Sequence, residues 1–297
     1  MNYIAVDWGT SNFRAISVRD GQVIRTVQET CGVASCERAE LPSILRKQLL
    51  RLEEAWDPHL PMLLCGMIGS NIGIADAGYM ALPLSFRDLL GKGRDLPGIL
   101  SNPLTLRPGI CDPLANEVCR GEEMQLAGAI ALTDACTFAA VGTHSKWMTI
   151  DRQQQRVTGL RTLMTGELYH LVLNHSVVGK GLPPQVTSAS AFSEGVAVAQ
   201  SVEAGQGELV SELFRCRGRY ILGDLDPASA ASWLSGLLIG HEILRGHPGN
   251  TRVCFIGSRA LLPLYQQACE QIGLPCSTLE AETALIAGLN EVFRHDG

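Results

Sequence analysis

The chain has 297 residues, of which 46% are hydrophobic and 18% charged, with a net charge of −6 at pH 7. At roughly 100–200 residues per domain, this length predicts two domains, and the composition excludes a disordered chain. The negative charge and the lack of a Lys/Arg cluster argue against a nucleic-acid partner. The apolar runs fall short of the ~20 residues of a membrane span.

The cysteines and the N-terminal sequence indicate the cellular location that we expect for the protein. The ten cysteines are scattered without a Cys-x-x-Cys pair, so a zinc site is not expected. The N-terminal residues lack the basic and apolar regions of a signal peptide. We therefore expect a cytoplasmic protein, and the sequence leaves open whether it forms a homodimer.

The first half of the chain predicts strands followed by helices. Hydrophobic periodicity and turn residues place these elements. In chain order they are strands at 3–7, 14–18 and 22–26, a helix at about 41–52, a strand at 62–65, loops and short elements at 66–113, and a helix at about 116–132.

The second half repeats this pattern. Its predicted elements are strands at 137–141, 146–150 and 156–158, helices at 166–174, 190–204 and 228–244, a strand at 253–256, and helices at about 258–272 and 281–293. A strand meander followed by helices, occurring twice, predicts an α/β protein of two related domains with a cleft between them. We place the domains at 1–133 and 134–297.

The first predicted strand ends in a carboxylate. Asp7 is followed by a turn that contains Gly9, Thr10 and Ser11. A buried carboxylate is costly without a partner, and Mg²⁺ is a suitable one because it takes only one or two protein carboxylates. The segment predicts that Asp7 is a metal ligand; the alternative is an ordinary hairpin. The predicted phosphate-binding residues are Gly9, Thr10, Ser11, Asn12 and Arg14.

A matching turn follows a strand of the second half. It supplies backbone and hydroxyl donors and one lysine charge for phosphate, and a tight hairpin is again the alternative. Its residues are Gly142, Thr143, His144, Ser145 and Lys146. Neither turn is a Walker loop. Two such turns facing each other across a cleft would hold a triphosphate, which predicts a kinase or nucleotidase.

Acidic residues lie near a predicted helix start, in Arg120-Gly121-Glu122-Glu123. Phosphoryl transfer needs a carboxylate that orients the acceptor hydroxyl and takes its proton. Acidic residues are also common in first helical turns, so a structural role is the alternative. The pattern nominates Glu122 or Glu123 as the base.

Two further segments carry weaker signals. Gly257 and Ser258 form a strand-to-helix turn that allows close approach of a nucleotide. The small and polar residues after the strand at 62–65 suit a sugar pocket, although a plain loop explains them as well. Those predicted to bind substrate are Met67, Gly69 and Ser70.

Taken together, six segments resemble the 2-dehydro-3-deoxygalactonokinase family of the sugar kinase–heat-shock protein 70–actin superfamily. They are residues 6–15, 66–71, 120–125, 142–147, 164–168 and 234–240. The most specific strings are Gly-Thr-His-Ser-Lys-Trp at 142–147 and Arg-Gly-Glu-Glu at 120–123. The resemblance implies two related actin-like, ribonuclease H-like ATPase domains.

The resemblance also implies a reaction. It is transfer of the ATP γ-phosphate to the 6-hydroxyl of 2-dehydro-3-deoxy-D-galactonate, in galactonate catabolism, with Mg²⁺ as cofactor. Similarity to the glycerol-kinase branch makes Glu122 the base, with Glu123 still open. The family resemblance at 234–240 adds Gly236 to the ATP-binding residues. The cation for the substrate carboxylate is left open among Arg87, Arg120 and Arg161.

Two alternatives to this reading remain. One is a kinase of the same fold that acts on another hydroxy acid or sugar. The other is a non-catalytic protein that uses ATP as a switch, for which a carboxylate at the start of a helix would have no use.

Overall fold

The computed structural model describes residues 1–91, 93–247, 249 and 251–295. In chain order its strands are β1 (Tyr3–Trp8), β2 (Phe13–Arg19), β3 (Gln22–Glu29), β4 (Met62–Cys65), β5 (Tyr79–Ala81), β6 (Leu84–Ser85), β7 (Arg94–Asp95), β8 (Leu104–Leu106), β9 (Gly109–Asp112), β10 (Glu117–Cys119), β11 (Thr137–Ala140), β12 (Ser145–Asp151), β13 (Arg156–Leu163), β14 (Val253–Gly257) and β15 (Cys276–Glu280).

Helices follow or alternate with these strands. They are α1 (Leu41–Leu50), α2 (Phe86–Gly91), α3 (Glu122–Leu132), α4 (Thr165–His175), α5 (Ala189–Glu203), α6 (Leu209–Leu222), α7 (Ala230–Gly246), α8 (Leu262–Ile272) and α9 (Ala281–His295). Short 3-10 helices lie at Val33–Ser35, Arg38–Glu40, Glu53–Ala55, Met67–Gly69 and Pro227–Ser229. The predicted α/β class is confirmed.

The chain divides into two compact units. Unit 1 contains Met1–Asp134, Ile150–Leu160 and the described residues from Glu282 onward. Unit 2 contains Ala135–Thr149 and Arg161–Ala281. Strands β12 and β13 therefore run across the division.

The main sheet of unit 1 has the strand order β3-β2-β1-β4-β8-β7. Strand β1 is antiparallel to β2 and parallel to β4, which is parallel to β8. A smaller sheet has the order β10-β9-β5. The parallel strands place the carboxyl ends of β1 and β4 side by side, with Asp7 opposite Cys65.

The two faces of this sheet are buried against different helices. Because side chains alternate along a strand, Ile4 and Val6 join a core with Leu41 and Leu45 of α1. On the opposite face, Tyr3, Ala5 and Leu63 pack with Met124 of α3 and with Leu285 and Leu289 of α9. Helices α3 and α9 approach so closely that a Cβ added at Gly128 would lie 1.9 Å from the Ala284 carbonyl oxygen.

The strands of unit 2 repeat the order of unit 1. They run β15-β14-β11-β12-β13, with β11 antiparallel to β12 and parallel to β14, and β14 parallel to β15. Both units thus place an antiparallel meander beside parallel strands. This shared order supports the internal repeat inferred from the sequence.

The helices of unit 2 pack through small residues. A Cβ added at Gly195 of α5 would lie 2.1 Å from the Trp233 carbonyl oxygen of α7, and one at Gly236 of α7 would lie 2.0 Å from that of Phe192. Only glycine permits such contact between helix backbones. Between this helix pair and the sheet lies a hydrophobic core. It includes Phe192 of α5, Ile239 of α7, Trp147 of β12 and Phe255 of β14.

One predicted element is corrected by the structure. The helix expected from about residue 116 begins at Glu122, because Glu117–Cys119 instead pairs with β9 as an antiparallel strand. Helix α6 and strand β15 lie outside the predicted set. No helix among the described residues has the length and apolarity needed to cross a membrane.

Candidate active site

Asp7 lies on the α3 side of the main sheet of unit 1. It shares a strand face with Tyr3 and Ala5, which pack with α3 and α9. Across the sheet Asp7 pairs with Arg14 of β2 and with Cys65 of β4. The strand ends one residue later, at Trp8, and Asp7 is partly buried near the first turn of α3.

Two glycines keep the space beside this carboxylate free of side chains. Gly66 follows β4 with φ +87° and Gly121 precedes α3 with φ +108°, both conformations that favour glycine. A Cβ added at Gly66 would lie 3.1 Å from Asp7 Oδ1 and 2.8 Å from the Trp8 carbonyl oxygen. A Cβ added at Gly121 would lie 3.5 Å from Gly66 Cα and 4.0 Å from Asp7 Oδ1. The two glycines therefore form a cradle around Asp7.

The first turn of α3 brings two more carboxylates to the cradle. Glu122 Oε2 accepts hydrogen bonds from the Arg120 backbone N–H at 3.2 Å and from Cys119 Sγ at 3.3 Å. Glu123 Oε2 accepts one from the Gly121 N–H at 2.5 Å. Glu123 is fully buried, and its Oε1 has no hydrogen-bond partner among the described residues.

Burial and mutual repulsion disfavour the charged forms of these acids. Burial raises the pKa of Asp7 to about 6; the charge of Arg14 opposes this rise and that of Glu122 adds to it. Burial and the charge of Glu122 raise the pKa of Glu123 to about 8, against backbone hydrogen bonds and the charge of Arg107. Near neutral pH, Asp7 is therefore mostly ionised and Glu123 mostly protonated. Strongly shifted acids in a cluster are typical of functional sites.

The cradle suits a hydrated magnesium ion. Asp7 offers carboxylate oxygens, which Mg²⁺ prefers, and neither glycine places a side-chain atom against them. Cys119, Glu122 and Glu123 also bring one candidate ligand atom each within 4.8 Å of one another. That group includes a sulfur, which suits softer metals, and Asp7 is therefore the better candidate for a magnesium ligand.

The turn between β1 and β2 holds the first set of predicted phosphate donors. The Gly9 N–H donates to the Asn12 carbonyl at 2.9 Å, which closes the turn. Thr10, Ser11 and Asn12 are exposed. Backbone bonds from Val33 to Gly9 O, at 3.0 Å, and from Ala34 to Thr10 O, at 3.3 Å, hold the turn from behind. The turn thus presents its polar side chains to solvent on a fixed backbone.

Arg120 holds the backbone of the predicted substrate segment. Its Nη1 donates to the Gly69 carbonyl at 2.5 Å and its Nη2 to the Gly78 carbonyl at 3.0 Å, while the guanidinium stacks on the Tyr79 ring. Ser70 Oγ donates to the Met67 carbonyl at 2.7 Å. The Arg120 side chain is 3% exposed. Of the other candidate cations, Arg87 is exposed on α2 and Arg161 donates to the Arg245 carbonyl at 2.6 Å.

The second predicted turn lies between β11 and β12 in unit 2. Thr143 and His144 are exposed, whereas Ser145 is fully buried. His144 Nε2 lies 2.5 Å from Glu167 Oε2, and the Glu167 N–H donates to the Thr143 carbonyl at 3.0 Å. Lys146 Nζ donates to Thr162 Oγ1 at 3.0 Å. The start of α4 therefore supports the turn on one side.

The remaining nucleotide-binding candidates occupy different positions in unit 2. Gly257 ends β14 and is buried, and Ser258 after it is exposed, with its carbonyl accepting from Leu261 and Leu262 at the start of α8. Gly236 is buried in the contact between α5 and α7. The structure places Gly236 in helix packing rather than in a turn.

Sequence reasoning did not nominate the two cradle glycines. Each lies in a motif used for the resemblance, but nothing local reveals that Gly66 and Gly121 meet. The detectable signal is a glycine directly after a buried strand and another directly before a helix. Glu242 was also missed as a site-related residue; it accepts a hydrogen bond from Ser145 at 3.1 Å.

Comparison with known proteins agrees with the resemblance inferred from the sequence. The family model for 2-keto-3-deoxy-galactonokinase matches residues 7–292. The 2-dehydro-3-deoxygalactonokinase of Escherichia coli (strain K12) is 34% identical over 296 residues, covering 98% of this chain and 97% of the relative. A probable 2-dehydro-3-deoxygalactonokinase of Rhizobium meliloti (strain 1021) is 34% identical over 303 residues, covering 98% and 96%.

A solved structure also matches over the whole fold. It is a crystal structure of a Sinorhizobium meliloti protein designated a 2-dehydro-3-deoxygalactonokinase. The TM-score is 0.87 with 31% sequence identity, and the match covers 98% of each chain. The likeness extends through both compact units. The chain therefore belongs to the 2-keto-3-deoxy-galactonokinase family.

Proposed function

We propose that this chain transfers the γ-phosphoryl group of ATP to the 6-hydroxyl of 2-dehydro-3-deoxy-D-galactonate, with Glu122 as the base and Asp7 as the magnesium ligand. Family membership makes the chain a sugar-acid kinase of galactonate catabolism. The observation that supports the residue roles is the cluster of Asp7, Gly66, Gly121 and Glu122 in unit 1.

Glu122 is the better placed of the two glutamates for proton transfer. It is partly exposed at the helix start, so an acceptor hydroxyl can reach it. Glu123 is fully buried, and its pKa of about 8 keeps it protonated near neutral pH. A base must be ionised and within reach of the proton that it takes. Glu122 therefore orients the hydroxyl and accepts its proton as the phosphoryl group is transferred.

Asp7 supplies the negative charge for a metal. When bound there, Mg²⁺ would offset the charge of the phosphate oxygens. Neither cradle glycine carries a side chain that would cover the Asp7 carboxylate. Arg14, paired with Asp7 across β1 and β2, keeps that carboxylate ionised near neutral pH.

The two Gly-Thr turns supply phosphate donors in each unit. In unit 1 these are the exposed side chains of Thr10, Ser11 and Asn12, and Gly9 lets a phosphate approach the backbone closely. In unit 2 they are Gly142, Thr143 and His144, with Lys146 adding charge. Backbone and hydroxyl donors fixed before the ligand arrives stabilise a charged transition state without reorganisation.

The decisive experiment is an acceptor panel with coupled detection of ADP. Purified enzyme receives ATP, Mg²⁺ and one of 2-dehydro-3-deoxy-galactonate, 2-dehydro-3-deoxy-gluconate, or a neutral sugar. We expect acceptor-dependent ADP formation with the highest kcat/KM on the galactonate derivative. A higher kcat/KM on another acceptor would replace the substrate assignment, and ADP release that no acceptor stimulates would overturn the kinase assignment.

A further inference from the structure

A buried carboxylate in unit 2 lies behind the phosphate turn at 142–146. Glu242 of α7 is 1% exposed. Its Oε2 accepts two hydrogen bonds, from Ser145 Oγ at 3.1 Å and from the Tyr265 hydroxyl at 2.7 Å. Its Oε1 accepts a hydrogen bond from Trp147 Nε1 at 3.0 Å. The Thr165 hydroxyl donates to it as well. Both oxygens of this carboxylate are therefore satisfied.

Three elements supply the donors, and two of them, β12 and α8, adjoin turns predicted to bind ATP. Ser145 and Trp147 belong to β12, which follows the turn, and Thr165 begins α4. Tyr265 belongs to α8, which follows the turn at Gly257 and Ser258. One carboxylate thus joins the start of β12, the start of α4 and the first turns of α8 to α7.

The contacts extend from Glu242 to the exposed residues of the turn. Ser145 Oγ, which donates to Glu242, lies 3.5 Å from the Gly142 backbone N–H. Thr165 is followed by Gly166, where an added Cβ would lie 2.5 Å from the Gly142 carbonyl oxygen. Glu167 then holds Thr143 and His144 through its N–H and its carboxylate. A shift of Glu242 would therefore move the turn from two sides.

We propose that Glu242 is a positioning residue for ATP: through Ser145 and Thr165 it fixes the turn at 142–146 in the conformation that binds the nucleotide phosphates. This inference rests on the proposed function, because it takes that turn to be a phosphate site. Glu242 is fully enclosed by protein groups, so it acts through the residues that it holds and does not touch a ligand. Partners that orient binding groups in this way often matter nearly as much as the groups themselves.

The first test is Glu242→Ala, read as a split between the kinetic constants for the two substrates. We expect the KM for ATP to rise by on the order of 10–100-fold, since small misplacements of binding groups have effects of this size. The KM for the sugar acid should stay within about threefold, because Met67, Gly69, Ser70 and Arg120 lie in unit 1 and none is a described hydrogen-bond partner of Glu242. Nucleotide affinity is measured separately, by calorimetric titration with ADP.

Glu242→Gln is the conservative variant. Its amide oxygen can accept the hydrogen bond from Trp147. Its amide NH₂ group can face the Ser145 and Tyr265 hydroxyls, which can rotate to accept hydrogen bonds from it. We expect it to restore most of the ATP affinity that Glu242→Ala loses. A rescue of this kind distinguishes positioning from a requirement for the negative charge itself.

Glu212→Ala is the matched control, because Glu212 is also a buried glutamate of unit 2, is 5% exposed and pairs with Arg215 of its own helix α6. It should lower thermal stability without changing the KM for ATP. If both alanine variants raise that KM equally, the effect is general destabilisation and the proposal fails.

Ser145→Ala keeps the proposal testable if Glu242→Ala does not fold. It removes the direct bond between Glu242 and the turn and leaves the other donors in place. We expect a rise in the KM for ATP without loss of fold. A folded Ser145→Ala with wild-type ATP affinity would overturn the proposal, whereas a wild-type enzyme that is inactive in the acceptor panel would instead overturn the proposed function.

Discussion

The buried glutamates of the two units differ in how completely they are satisfied. Glu242 in unit 2 is 1% exposed and accepts hydrogen bonds on both of its oxygens. Glu123 in unit 1 is fully buried, yet its Oε1 lacks a hydrogen-bond partner among the described residues. Burial raises the pKa of both. Backbone hydrogen bonds oppose this rise in Glu123, and side-chain hydrogen bonds from Thr165, Tyr265, Trp147 and Ser145 oppose it in Glu242.

This difference separates a scaffold from a reactive site. A fully satisfied buried network rigidifies its surroundings, which suits the support of a binding turn. Acids that repel one another and lack partners lower stability, and such arrangements are retained where a ligand or a reaction uses them. This contrast supports the proposal that the acidic cluster at β1 and α3 carries the chemistry and that Glu242 supports the turn.

The largest expected effect is at the proposed base. Glu122→Gln should lower kcat by ~10²–10⁴-fold with ATP binding kept, because the amide cannot accept the proton of the acceptor hydroxyl. Single-turnover phosphorylation of the sugar acid measures this directly. Glu123→Gln, assayed in parallel, should show a smaller fall in kcat. If its kcat falls further than that of Glu122→Gln, the base is Glu123 and the two roles are exchanged.

Asp7→Asn should have the next largest effect. The amide keeps the shape of the side chain and removes the charge that would attract Mg²⁺, so the apparent affinity for Mg²⁺ should fall by ~10–100-fold, an effect typical of changes around a metal site. The measurement is the initial rate against Mg²⁺ at saturating ATP and acceptor. An unchanged Mg²⁺ dependence would remove Asp7 from the metal site.

The pH dependence of activity should reflect the ionisation of Asp7. Asp7 has a pKa of about 6, so it becomes protonated as the pH falls through that value. Below pH 6, kcat/KM for ATP should fall toward tenfold per pH unit, as expected for loss of one essential ionised group. In Asp7→Asn the fall in kcat/KM below pH 6 should be absent. A fall that persists would come from another ionisable group.

A smaller effect is expected on the stability of the protein when Glu123 is replaced. The pKa of Glu123 rises from 4.5 to about 8 on folding. Its contribution to stability is therefore fully present below pH 4.5 and is lost as the pH rises through 8, because only the unfolded chain ionises freely in that window. Glu123→Gln stays neutral, so its free energy of unfolding should decline less between pH 5 and 8.5.

Urea unfolding at both pH values measures this difference, which should amount to ~1 kcal/mol or more since each unit of pKa corresponds to about 1.4 kcal/mol. A comparison with Glu242→Gln sharpens the contrast between the units. That variant replaces an acceptor of several hydrogen bonds and should be destabilised at both pH values. Equal pH dependence in wild type and Glu123→Gln would show that Glu123 is ionised in the folded protein.

Local sequence patterns were enough to predict much of the fold. The strand alternation around Asp7 and the turn at Gly9 depend on neighbouring residues only, and the predicted strands at 3–7 and 14–18 correspond to β1 and β2. The helix expected from residue 116 started too early, since residues 117–119 pair with β9. Pairing with another strand overrides helix propensity and leaves no local signal.

The sequence by itself determined which residue types stand at the strand ends and in the two Gly-Thr turns, and through these the family. Only the tertiary structure decided that Gly66 and Gly121 meet beside Asp7 and that Glu242 holds Ser145, 97 residues away along the chain. The physical reason is that strand alternation and turn formation depend on adjacent residues. The partners of a buried carboxylate depend instead on which distant elements pack around it.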